Sequence, residues 1–184
     1  LFIPAHRLII NQLVHLFLAL QNFMTERDYN DCVNLYADNV YRFIFKNLQH
    51  EEDAKDIVQG AFEKLWITRD QVQPEKIKSY LFTIAYHLMI DLIRKQKRIR
   101  LKDSFGEMAL GSGSIQHNAK RILDEALSKL NETQRSLVML KDYEGYNYAE
   151  IGDITGLNES QVKVYLHRAR LQLKAYIVKM ENVI

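Results

Sequence analysis

Along the chain, apolar residues return every three or four positions and polar residues fill the gaps. From Asp28 to about Leu48 they fall at Val33, Tyr36, Val40, Phe43, Ile44 and Leu48. That spacing places them on one face of a helix. From Glu52 to Trp66 the apolar positions are Ala54, Ile57, Val58, Ala61, Phe62, Leu65 and Trp66. From Ile77 to about Arg98 they are Ile77, Tyr80, Leu81, Ile84, Ala85, Leu88, Met89, Leu92 and Ile93. Pro74 lies between the last two stretches and suits a helix start, where its missing N–H would be unpaired anyway. No segment alternates with period two over enough residues to make a strand. The pattern predicts three helices of roughly 20, 15 and 22 residues that bury a shared core as a small bundle.

The periodicity then stops. Residues 102–118, "KDSFGEMALGSGSIQHN", hold three glycines and three serines and carry no sustained period. They read as a flexible linker and a domain boundary, with one unit over 24–101 and another over 119–184. The second unit opens on Ile122, Ala126, Leu127 and Leu130, and the pattern gives it four shorter helices. Three of them start alike. Asn131 precedes Gln134, Asn147 precedes Glu150 and Asn158 precedes Gln161, each an amide cap with an acceptor three residues on. Gly145 and Gly156 stand where the preceding helices should end in a left-handed residue. The expected fold is all-α, in two small helical domains: a three-helix bundle and a helix-turn-helix bundle.

Around Gly156 the helix-turn-helix pattern is complete. Ile151, Leu157, Val162 and Leu166 form the internal seam, and Gly152 allows close approach of the two helices. The face left over carries Ser160, Gln161, Lys163, Val164 and His167, and further round Arg168 and Arg170. Short polar side chains near the start of such a helix reach base edges, and Lys or Arg grips phosphate. A solvated basic face is the alternative for a lone helix. The turn, seam and caps together favour DNA.

Net charge is only +2, but its distribution is uneven. Residues 50–66 hold five acidic groups against two basic, and residues 76–102 hold eight basic against Asp91 alone. This suggests separate acidic and basic contact surfaces. "RKQKRIRLK" places Arg94, Lys95, Lys97, Arg98, Arg100 and Lys102 at the end of the third helix, more than dipole complementation requires. Just upstream, Phe82, Tyr86, His87 and Ile90 lie off the main apolar seam. Aromatics beside a cationic groove suit unstacked bases of a single strand. Secondary core packing is the other reading of that stripe.

The remaining features mostly exclude. Cys32, the single cysteine, has no internal partner and reads as core. There is no metal-ligand spacing, Gly-rich phosphate loop or nucleophile motif, so neither an enzyme nor a cofactor nor a small-molecule substrate is expected. In residues 1–23 the longest apolar run, Leu16 to Leu20, is far short of the ~20 residues a membrane span needs. The expectation is that Met24 is the natural start and that 1–23 are an upstream extension. An amphipathic helix with a polar stripe at Arg7, Asn11, His15 and Asn22 is the rival.

These residues carry a resemblance. "DAKDIVQGAFEKLW" (53–66) is similar to the polymerase-binding helix of extracytoplasmic-function sigma factors of bacterial RNA polymerase. "IKSYLFTIAYHLMIDLIRKQKR" (77–98) resembles their −10 element and melting helix, and residues 127–170 resemble their −35-binding domain. The match runs from roughly residue 28 to 176, in the family's order and with its linker. The resemblance implies a cytoplasmic promoter-specificity subunit. Asp53, Asp56, Gln59 and Glu63 would bind core polymerase. Phe82, Tyr86, His87, Arg94, Lys95, Lys97 and Arg98 would capture the −10 strand. Ser160, Gln161, Lys163, Val164, His167, Arg168 and Arg170 would read the −35 duplex. It also implies an anti-sigma partner, soluble or membrane-bound. The chain departs from the family at His87, where Asn is usual, at Val164 and Tyr165, and at Gly60. A plain helix-turn-helix regulator with an N-terminal sensor or dimerisation domain is the second hypothesis.

Overall fold

The computed structural model describes residues 23–102 and 118–181. Within them the chain forms seven α-helices and no strand. They are α1 (Glu26–Leu48), α2 (Glu51–Ile67), α3 (Ile77–Lys102), α4 (Asn118–Ser128), α5 (Glu132–Val138), α6 (Tyr148–Thr155) and α7 (Glu159–Glu181). The N-terminal extension, apart from Phe23, lies outside the described residues. So does the expected linker, apart from its two ends, which belong to α3 and α4.

Local chemistry sets the helix ends of the first unit. Thr25 caps α1 and Asp28 reaches back to the Thr25 N–H, which holds the Asp28 carboxyl below its usual range. α1 closes on Gln49 at φ 55°. One residue later the His50 imidazole caps α2, accepting from the Asp53 N–H at 3.2 Å. Two 3₁₀ turns follow, and the second begins at Pro74, as the sequence suggests. Val40, Phe43, Ile44, Ala54, Ala61, Leu65, Leu81, Ala85 and Met89 are all fully buried between the three helices. Met24 joins this core, and its N–H donates to the Val72 carbonyl at 2.9 Å. Cys32 is buried too, and burial pushes its thiol up to about 11.

In the second unit all three expected caps form. Asn131, Asn147 and Asn158 accept from the N–H three residues on, and Gln134, Glu150 and Gln161 bond back. A capping amide of this kind is worth about 1 kcal/mol. α5 runs into a π-type turn, Met139–Tyr143, and Gly145 follows at φ 78°. Gly156 ends α6 at φ 74°. One expectation is corrected: the last helix is not short. α7 has 23 residues, because beyond the helix-turn-helix it packs on α4 through Gln172 to the Lys129 carbonyl and Tyr176 to Glu125.

The two units share one buried core. The Phe82 ring lies 5.5 Å from both Phe43 and Tyr146. Buried Ser136 donates to Asn47 Oδ1 at 2.9 Å. Arg135 gathers the carbonyls of Leu127, Ser128 and Leu130 at the end of α4 and also donates to the Asn47 carbonyl of α1. The α4 carbonyls are of the kind that a helix end leaves without partners.

Gly152 is where α6 meets the turn into α7. A Cβ there would stand 2.7 Å from the Leu157 carbonyl oxygen. Gly152→Ala should therefore destabilise the fold by about 1–3 kcal/mol, since backbone must shift to admit the methyl. Urea denaturation followed by circular dichroism checks this. A stabilised variant, as helix propensity alone would give, contradicts the close approach.

Candidate nucleic-acid and protein interfaces

Three faces were expected from the sequence, and the structure treats them differently. On α2, Asp56, Gln59 and Glu63 are exposed on one side, spaced three and four residues apart, and Gln59 donates to Glu63 at 2.9 Å. Asp53 lies at the start of this row but is engaged. Its carboxylate accepts from Gln96 of α3 at 3.0 Å and sits 3.3 Å from His50. The row ends in two apolar groups that periodicity assigns differently. Trp66, read as a core position, is half-exposed with Arg69 stacked 4.2 Å over its ring, and Ile67 beside it is 74% exposed. An acidic row ending in an exposed indole and isoleucine is suited to a protein partner rather than to solvent alone.

On α3 the aromatic stripe divides. Phe82 is fully buried and Tyr86 is only 6% exposed, so these two follow the secondary core-packing reading of the stripe and not the strand-capturing one. Phe82 belongs to the core between the two units. Burial raises the Tyr86 phenol above its usual value. His87, Arg94, Lys95, Lys97 and Arg98 are exposed along the same helix. Arg94 pairs with Asp91 at 3.6 Å, and Lys97 reaches across to Glu132 of α5 at 2.8 Å. The Lys97 pairing holds the Glu132 carboxyl below the ordinary range.

On α7 the expected row is exposed: Ser160, Gln161, Lys163, Val164, His167, Arg168 and Arg170, while Val162 and Leu166 fill the seam. Gln161 also serves the Asn158 cap, so one of its functions is structural. Lys163 pairs with Glu159 at 2.6 Å and lies 5.4 Å from the Tyr148 ring centroid. Arg170 forms a two-point pair with Asp142 of the π-type turn, at 2.5 and 3.3 Å. In this arrangement Arg170 ties α7 to the π-type turn. Tyr148, Asp142, Arg135, Glu144 and Tyr146 escaped the sequence reading. None is marked by the apolar period, and Arg135, Asp142, Glu144 and Tyr146 each meet a partner distant in sequence.

The comparisons agree with this layout. Residues 32–99 match sigma-70 region 2 and residues 120–173 match sigma-70 region 4. The chain is 33% identical to RNA polymerase sigma factor SigV of Bacillus subtilis over 149 residues, covering 80% of this chain and 90% of that protein. It is 29% identical to the extracytoplasmic-function sigma factor SigM of the same organism, covering 79% and 93%. Among solved structures, the sigma factor RpoE of Bartonella quintana, in complex with the anti-sigma factor NepR, has a similar fold. The TM-score is 0.73 at 22% identity, over 82% of this chain and 97% of that one.

If Phe82 is a core residue, Phe82→Ala costs about 3–5 kcal/mol of stability. His87→Ala on the exposed side should stay within about 0.5 kcal/mol of the parent chain. Thermal melts of the two variants, side by side, check the assignment. Equal stabilities would return Phe82 to the surface.

Proposed function

We propose a residue-level division of labour from the premise that the chain belongs to the extracytoplasmic-function group of the sigma-70 family, and so directs core RNA polymerase to promoters and initiates transcription there. The α2 row of Asp56, Gln59 and Glu63, with Trp66 and Ile67 at its end, docks on core polymerase. Asp53 contributes by holding the start of α2 against α3. The exposed side of α3, with His87, Arg94, Lys95, Lys97 and Arg98, takes the non-template strand of the −10 element, and Tyr86 supports it. The α7 row reads the −35 duplex: Ser160, Gln161, Val164 and His167 at base edges, Lys163 and Arg168 on phosphate. Val164, 45% exposed in the middle of this row, suits the methyl group of a thymine. Arg170 keeps α7 in register through Asp142.

The observation that carries this reading is the separation of surfaces. An acidic row and two basic rows stand on three different helices. No helix among the described residues is long and apolar enough to cross a membrane. An anti-sigma factor is the further partner, and similar folds solved with such factors support it.

Asp56→Arg combined with Glu63→Arg should lower core polymerase affinity by about 100-fold or more, since like charges set opposite a basic partner cost several kcal/mol. Helicity by circular dichroism should not change. Unaltered affinity in a pull-down titration would move the docking site elsewhere. Neutralising Lys163 and Arg168 should weaken binding to a −35 duplex. It should also flatten the salt dependence by about one unit for each phosphate that the variant leaves unneutralised. Gel shifts across a salt series measure this. An unchanged slope would mean that these two side chains do not meet phosphate.

A further inference from the structure

One apolar feature lies outside the three rows. Leu35 of α1 is 65% exposed, a large apolar side chain left in water. It lines a cleft of about 200 Å³ between the first half of α1 and the start of α3. Tyr36, Pro74 and Ile77 continue the apolar lining, and buried Cys32 closes it. Asp31 of α1 and Glu75 of the turn before α3 also line the cleft, and both are exposed. Neither makes an ion pair or a side-chain hydrogen bond among the described residues. Asp28 lines the cleft too, but its carboxylate serves the Thr25 cap at 2.7 and 2.8 Å. Lys78 is the one cation of the lining among the described residues, and it is paired with Glu144 at 3.8 Å.

The cleft faces away from the row assigned to polymerase. Tyr29 turns to α2, where it donates to the Phe62 carbonyl at 3.3 Å and packs on Trp66 with ring centroids 4.8 Å apart. Asp31 is two positions further on, and two positions turn a helix by about 200°. The flank of α1 that carries Asp31 and Leu35 is therefore not the flank that carries α2. Local charge is acidic: residues 26–38 hold Glu26, Asp28, Asp31 and Asp38 against Arg27 alone. Phosphate would meet unpaired carboxylates here, which disfavours nucleic acid. An apolar centre within a charged rim is the anatomy of a protein contact. Two unpaired carboxylates beside one apolar gap are complemented by cations beside one apolar side chain. A helix supplies that pattern with a leucine flanked by lysine or arginine three or four positions away.

We propose that the cleft between α1 and α3 is a docking site for a basic amphipathic helix of a partner protein. The apolar side chain of that helix sits against Leu35 and Tyr36, and its cations meet Asp31 and Glu75. The site shares no residue with the polymerase row or with either DNA row, so its variants are separable from theirs by experiment.

The test uses the full chain and a fluorescent helical peptide of about 15 residues, roughly four turns, made of leucine, lysine and alanine. Leucine recurs along one face of the peptide and lysine flanks it. Anisotropy should show saturable binding to wild type. A peptide of equal charge with alanine in place of leucine should bind about tenfold more weakly. Leu35→Ala should weaken binding of the leucine peptide about fivefold, and Asp31→Lys with Glu75→Lys about tenfold. Asp56→Arg with Glu63→Arg, on the far flank, should leave peptide affinity within about twofold. Circular dichroism should be the same for all these chains, because the substituted side chains are exposed. Core polymerase affinity of the Leu35 and the Asp31–Glu75 variants should match wild type. Absence of saturable binding, or equal binding of the two peptides, overturns the proposal, since charge alone then accounts for any attraction. Loss of core polymerase affinity in the cleft variants gives the cleft to polymerase and overturns a separate partner site. Sedimentation covers the remaining occupant: a wild-type dimer that Leu35→Ala abolishes makes the occupant a second copy of this chain and overturns the proposal too.

Discussion

The Phe82 ring, packed against Phe43 on one side and Tyr146 on the other, makes α3 answer to two cores at once. Leu81, Ala85 and Met89 turn toward α1 and α2, as the helical period requires. Phe82 also reaches Tyr146 of the second unit. A helix with two buried faces cannot rotate without exposing one of them, and each large buried side chain is worth about 1.5–3 kcal/mol. The exposed strip that remains, His87 to Arg98, is therefore fixed in direction by packing on both flanks. That is how an apolar constraint aims a basic surface.

The same double duty explains which parts of this structure were legible in the sequence. Helices α1, α2 and α3 follow the apolar period closely, because one face of each is buried in a bundle of near neighbours. The starts of α5, α6 and α7 follow from three asparagine caps, which are local chemistry and need no tertiary information. Gly152 and Gly156 were legible for a similar reason: a tight turn makes steric demands on the residues within it. For Phe82 the sequence left core packing and strand capture both open. A period of 3.6 tells which side a residue faces but not whether another unit covers that side, and Tyr146 lies 64 positions away in the chain. Glu144 and Arg135 were hidden in the same way, since a buried polar contact between distant segments has no sequence period. The length of α7 was misjudged because its later turns, around Gln172 and Tyr176, pack on α4 rather than within the helix-turn-helix.

Electrostatics divides the surfaces by strength of commitment. On α7, Arg170 is held by Asp142 and Lys163 by Glu159, so only part of the formal positive charge is free to meet phosphate. Intramolecular pairs of this kind preorganise the side chains and lower the ordering cost on binding. Surface pairs at i,i+4 are weak, so Lys163 can exchange Glu159 for a phosphate at little cost. The Arg170 pair has two-point geometry and spans 28 residues, which suits a brace rather than a contact. On α2 the opposite holds: Asp56 and Glu63 have no ion-pair partner among the described residues, and their charge is available to a basic surface.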